Sequence, residues 1–262
     1  MTNRMRETST QQDAGGYPPR PGLDASRSIR EASLIAGVGL LLMSALAGFG
    51  SLVVLEGLVT PGDAAETARD IMASEQMFRF GVASLYVVAI LDVVIAWALL
   101  QVFSPVSRGI SRLAAWFRLA YAGVLVVAVS QLAGIPHLLD NEGYSAAFNA
   151  EQLHAQALLK IDAFNDIWFA GLILFGVHLL IIGYLAYKSG YVPKPLGILL
   201  VIAGFGYGFE SFGTVLSQGS PLIISTVTFL GEFLLAIWLL IWGHRISFVT
   251  DGPGGLKGSA LR

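Results

Sequence analysis

Residues 32–55 read ASLIAGVGLLLMSALAGFGSLVVL, a run with no charged side chain. A helix needs about 20 predominantly apolar residues to cross the hydrocarbon core of a bilayer. This run is long enough, and it lacks the alternation of a half-buried strand, so it reads as a transmembrane helix. Five more such runs follow. Phe80–Phe103 carries only Asp92, Leu113–Ile135 only Arg118, and Ile167–Tyr187 no formal charge but His178. Leu196–Ser217 carries only Glu210, and Leu222–Trp242 only Glu232. The sequence predicts an all-α polytopic integral membrane bundle of six transmembrane helices, with the lipid bilayer as its first partner.

Composition agrees. The 262 residues are 55% hydrophobic and 13% charged, against about a quarter charged in an ordinary soluble domain. A net charge of −2 offers no basic patch for nucleic acid. The absence of Cys excludes disulfides, thiolate metal centres and thioether-linked haem. No polar segment is long enough for an appended catalytic or nucleotide-binding domain, and no cofactor is implied. Residues 1–31, with Gly15-Gly16 and Pro18-Pro19, are expected to be a disordered tail. Residues 32–246 form the membrane domain, and 247–262 a flexible C-terminal tail. Ala45-Leu46-Ala47 has the look of a signal-peptidase site, but the long polar leader and the apolarity up to Leu55 favour a retained anchor.

Orientation follows from the distribution of Lys and Arg. With the N-terminus inside, twelve basic residues fall on the cytoplasmic side, among them Arg108, Arg112, Lys188 and Lys194, and three (Arg69, Arg79 and Lys160) on the other. Both termini are expected in the cytoplasm. Two extracytoplasmic connections carry amphipathic helices. Asp63 and Glu66 form a capping-box-like start, with Ala64, Ala68, Ile71 and Met72 on one face. Asn149 and Gln152 start the second, with Leu153, Ala157 and Ile161 on its face. Trp97, Trp116, Trp168, Trp238 and Trp242 lie mostly near span ends, as interfacial belts require.

Three stretches carry a family resemblance: VTPGDAAETARDIMASEQMFRFGVAS (59–84), ILDVVIAWALLQVFSPVSRGISRLAAWFRLAYA (90–122) and FGVHLLIIGYLAYKSGYVPKPLGILLVIAGFGYGFES (175–211). Together they resemble the bacterial six-span membrane proteins grouped as domain of unknown function 4386, over about residues 32–246. The resemblance implies a six-helix protein of the bacterial inner membrane and implies no activity. Glu210 stands where relatives are expected to carry Asp, which keeps the carboxylate and changes its reach.

Ionisable groups inside a membrane cost a few kcal/mol each on insertion scales, so each is a functional candidate. At about 1.5 Å of helix rise per residue, Asp92, Arg118 and His178 fall in one layer, roughly 10–16 Å from the cytoplasmic end. Glu210 and Glu232 fall higher, each roughly 20 Å in and on consecutive antiparallel helices. Tyr207, Thr214, Ser225 and Thr228 supply small or hydroxyl neighbours on the same faces. Asp92 and Arg118 are expected to pair, either to fix helix register alone or to serve function. His178 alone reads as an interhelical hydrogen-bonder. Two carboxyls sharing one low-dielectric site cannot both carry charge cheaply, which points Glu210 and Glu232 toward binding or proton handling. Gly204, Gly206 and Gly208 mimic a nucleotide-binding string, but no strand precedes them and helix packing explains them better. His137, Asp140, Glu142, His154, Asp162 and Asp166 read as a solvated acidic rim with no metal-ligand spacing.

Three functions remain open. The first is a bundle that binds or moves a small solute, with a proton-handling interior lined by Asp92, Arg118, His178, Glu210 and Glu232. The second is an accessory protein whose buried charges only hold the helices or a partner helix. The third is an intramembrane enzyme using His178 and the carboxylates. Oligomeric state is not legible.

Overall fold

Helix α1, Pro21–Gly48, continues through a π-helical turn, Phe49–Leu55, into α2, Glu56–Leu58. The wider turn puts Gly50 and Val54 on the side facing the next long helix, where both are buried. That helix is α4, Glu75–Phe103, reached through the short α3, Ala64–Ala73. A tight turn at Ser104–Ser107 leads to α5, Arg108–Ala133, whose Ser107 cap accepts a hydrogen bond from the Ile110 amide. Two one-turn pieces follow, α6 (Ile135–Asp140) and α7 (Glu142–Ala147). The 40-residue α8, Ala150–Ser189, ends on Gly190 at φ 75°, a conformation that favours glycine. Helices α9, Lys194–Ser217, and α10, Ser225–Trp242, complete the bundle. After it, strand β1 (Ile246–Thr250) pairs antiparallel with β2 (Leu256–Ala260), an element not read from the sequence. The computed structural model describes residues 21–217, 225–243, 246–250 and 256–260, with side chains over 28–213, 230–243 and at 246.

Five helical stretches are long and apolar enough to cross a membrane: Ser28–Leu58, Glu75–Phe103, Arg108–Asp140, Ala150–Ser189 and Lys194–Gly213. Leu230–Trp242 is a shorter apolar helix within the described residues. The long helices form a closed ring in chain order, α1 on α4, α4 on α5, α5 on α8, α8 on α9, α9 on α10, and α10 back on α1. Short connections make neighbours antiparallel. The outside of the ring is apolar. Ile90, Trp116, Ile202, Phe205 and Phe209 are exposed, while Asp92, Arg118, His178, Glu210 and Glu232 are buried. That inversion of the soluble pattern is what a lipid-facing surface requires.

Two expectations change. The amphipathic segment begun by Asn149 is not a separate helix. Its capping box is present, and Leu153, Ala157 and Ile161 are buried as expected, but the helix runs on without interruption into the next span. No Pro falls between 150 and 189 to stop it, and 40 residues reach about 60 Å, roughly twice the hydrocarbon thickness. The segment begun by Asp63 is a distinct helix, with Asp63 accepting from the Glu66 amide. Its buried Thr67 donates to Thr60 O (3.2 Å) and accepts from Thr60 N (3.0 Å), pinning α3 to the turn before it. The second change concerns tryptophan. Trp97, Trp116 and Trp242 are exposed as belt residues should be, whereas Trp238 is buried and Trp168 is partly buried.

Glycines let α8 and α9 pack closely. An added Cβ on Gly176 would meet Gly204 O at 2.8 Å, and one on Gly204 would meet Gly176 O at 2.7 Å. Gly183 and Gly197 repeat the arrangement seven residues away, at 2.7 and 2.9 Å. The backbones of α8 and α9 therefore touch at two places, as small residues allow between membrane helices. At the α8–α9 turn, Tyr191 donates to Val102 O at 2.6 Å and ties the turn to the end of α4. Burial pushes the Tyr191 phenol up from its ordinary range, so it keeps the proton it donates.

Candidate functional site

The inward face of α5 carries Ala114, Arg118, Tyr121 and Leu125, all buried and spaced by three or four residues. Arg118 is thereby aimed into the ring. Its Nη2 lies 2.7 Å from Asp92 Oδ1 on α4, and both side chains are 1% exposed. Its Nη1 donates to His178 Nε2 on α8 at 3.2 Å. Nη2 also reaches Met43 Sδ on α1 at 3.4 Å. The ring of Phe175, one turn before His178, lies 5.2 Å from the guanidinium carbon, within cation–π range. One cation on α5 is thus held by groups from three other helices.

This geometry assigns the His178 tautomer. A guanidinium only donates, so Nε2 must accept and carries no proton. The proton sits on Nδ1, which donates to Ala114 O at 2.9 Å. His178 is therefore neutral here, and Arg118 is the centre's fixed positive charge.

Aromatic rings connect this cluster to the remaining helices. Phe175 stacks on His178 (centroids 5.8 Å), meets Tyr121 (4.8 Å), and makes an edge contact with Tyr207 of α9 (5.5 Å). The Tyr207 hydroxyl donates to Glu232 Oε1 on α10 at 3.4 Å, a long bond. Glu232 lies within electrostatic reach of both Arg118 and Asp92. Trp168 Nε1 donates to the Tyr121 hydroxyl at 3.0 Å. Glu210 is buried on α9, one turn from Tyr207.

The structure brings together Asp92, Arg118 and His178, which the sequence placed in one layer, and adds Glu232 through Tyr207. Thr214, Ser225 and Thr228 have side chains outside the described residues. Met43, Phe175 and Tyr121 belong to the centre without being marked by the sequence, and so does Trp168, expected from its position in the interfacial belt. Helical spacing could have found two of them, because Phe175 and Tyr121 lie three residues from His178 and Arg118. Nothing in the sequence marks Met43. The glycine reading holds at Gly204, which packs against Gly176. Of the outer rim, His137 meets Asn141 (3.3 Å) and His154 lines a cavity at the α3 end.

Fold and site define a polytopic helical protein with an apolar exterior and a buried ionic centre. The chain belongs to the family described as Domain of unknown function (DUF4386), which matches residues 35–243. It is 34% identical to an uncharacterized protein of Archaeoglobus fulgidus over 174 residues, covering 66% of this chain and 90% of the relative. No solved structure matches it.

Proposed function

We propose that the chain is a six-span protein of the bacterial inner membrane, with both termini cytoplasmic, whose ionic centre binds and releases a proton and serves a small solute. One observation carries the reading. Arg118 is the one Lys or Arg buried in the ring among the described residues, yet Glu232 is buried within its electrostatic reach in addition to Asp92. Asp92 balances the cation. A further carboxyl in a low-dielectric centre reaches neutrality only by holding a proton. Glu232 is placed to exchange one, because it feels the Asp92–Arg118 pair and accepts a long bond from Tyr207. Titration of the full chain in nanodiscs, from mildly acidic to mildly alkaline pH, tests this. Glu232→Gln should bind one proton fewer than the parent, and equal proton counts contradict the assignment.

The six-span count rests on reading the apolar α10 as a sixth crossing, and orientation on the Lys and Arg distribution. The chain has no Cys, so single-cysteine variants report topology without further change. Cysteine at Ser107 should react with a membrane-impermeant maleimide only from the cytoplasmic side, and cysteine at Ser145 only from the opposite side. Labelling of both from one side contradicts the arrangement.

A second reading has its own support. Arg118 is enclosed by Met43, Asp92, Phe175 and His178 with 1% exposure, which suits a lock that holds the ring together for an accessory protein.

A further inference from the structure

At the end of the bundle remote from the Ser104–Ser107 turn, α3, α6, α7 and the start of α8 line an open recess of about 450 Å³, within the range of small-molecule sites. Its walls are mostly apolar, including Met72, Leu139, Phe148 and Leu153. The charged or titratable side chains that line it are Arg69 and His154, and no carboxylate does. Arg69 is exposed at the mouth. Its Nε donates to Ala65 O of its own helix at 3.3 Å, and among the described residues no carboxylate pairs with its guanidinium. His154 is half-buried.

A cation that no carboxylate pairs among the described residues, a second basic side chain and apolar walls in one recess match a ligand with an anionic head and an apolar body. An inorganic anion alone would leave the walls unused, and a purely apolar ligand would leave Arg69 unpaired. Arg also suits planar or tetrahedral oxyanions because it presents several donors in a fixed fork. We propose that this recess binds a short anionic amphiphile, its carboxylate or phosphate head held by Arg69 and His154 and its chain lying against Met72, Leu139, Phe148 and Leu153. The site is separate from the ionic centre and does not depend on the proton reading.

Calorimetric titration of the full chain in phosphatidylcholine nanodiscs, with empty nanodiscs subtracted, tests the proposal using hexyl phosphate, inorganic phosphate and hexyltrimethylammonium. Hexyl phosphate should bind saturably, one per chain. Inorganic phosphate should bind at least about tenfold more weakly, and the cationic amphiphile should not bind. Arg69→Gln should weaken hexyl phosphate by about tenfold or more, as expected for losing a hydrogen bond to a charged group. Arg69→Lys should keep part of the affinity. Arg79→Gln, which removes the exposed pair with Glu75, should change nothing. Arg69 is exposed, so unchanged helicity of the variants by circular dichroism is expected and checks the comparison. Equal binding of the cationic amphiphile would reduce the site to an apolar recess, and equal binding of inorganic phosphate to a simple anion site. Either result, or an unaffected Arg69→Gln, overturns the proposal.

Discussion

Replacing Asp92 with Leu should cost the bundle about 3–5 kcal/mol, because it leaves a buried guanidinium without its counter-ion. Arg118→Met should cost less than Asp92→Leu. An orphaned carboxylate can become neutral by binding a proton, whereas a guanidinium cannot lose one. Arg118 also keeps weaker support from His178 and Phe175, at 3.2 and 5.2 Å, but neither supplies charge. The double variant, with both partners apolar, should be milder than either single change, since desolvation of the pair offsets much of its attraction. Unfolding in mixed micelles followed by circular dichroism gives the three values. Additive damage from the two single changes would mean that the pair is not energetically coupled, against its 2.7 Å separation.

The second large effect is expected at Gly204. A Cβ there meets Gly176 O at 2.7 Å and the Leu180 amide at 2.9 Å, so the obstacle is largely backbone and cannot rotate away. Gly204→Leu must push α8 from α9, and its cost should reach about 3 kcal/mol or more, the upper end for overpacking. The displacement would also move Tyr207, three residues on, away from Phe175 and Glu232. Gly208 is the control on the same helix, since an added Cβ there meets nothing within 4 Å. Gly208→Ala should stabilise by up to about 1 kcal/mol through helix propensity. If Gly204→Leu is tolerated as well as Gly208→Ala, the close contact of α8 and α9 is not real.

Much of this architecture is legible in the sequence because the bilayer imposes a length and an exclusion of charge that few other constraints match. The apolar runs around Asp92, His178 and Glu210 fall within single helices, and that around Arg118 ends at the break between α5 and α6. Depth counting also works. A fixed rise per residue put Asp92, Arg118 and His178 in one layer, where the structure finds them in contact. What the count cannot supply is rotation between helices. Met43 reaches Arg118 from α1, on the far side of α4, because of how α1 is rotated against α4, which has no local signature. Tyr207 meets Glu232 for the same reason, through the α9–α10 contact. The continuous α8 was missed because an N-cap marks where a helix starts and says nothing about whether it stops before the next apolar run. Trp168 was read as a belt residue from its position near a span end. Its indole instead turns inward to Tyr121, which sequence position cannot distinguish.

The claim that the centre exchanges a proton at Glu232 is tested most directly by infrared difference spectroscopy of the full chain in nanodiscs, stepped between mildly acidic and mildly alkaline pH. The account predicts a protonated-carboxyl band that changes between the two conditions and disappears from the difference spectrum in Glu232→Gln, while Arg79→Gln leaves it in place. A difference spectrum with no carboxyl band, or one whose band survives Glu232→Gln unchanged, would contradict it.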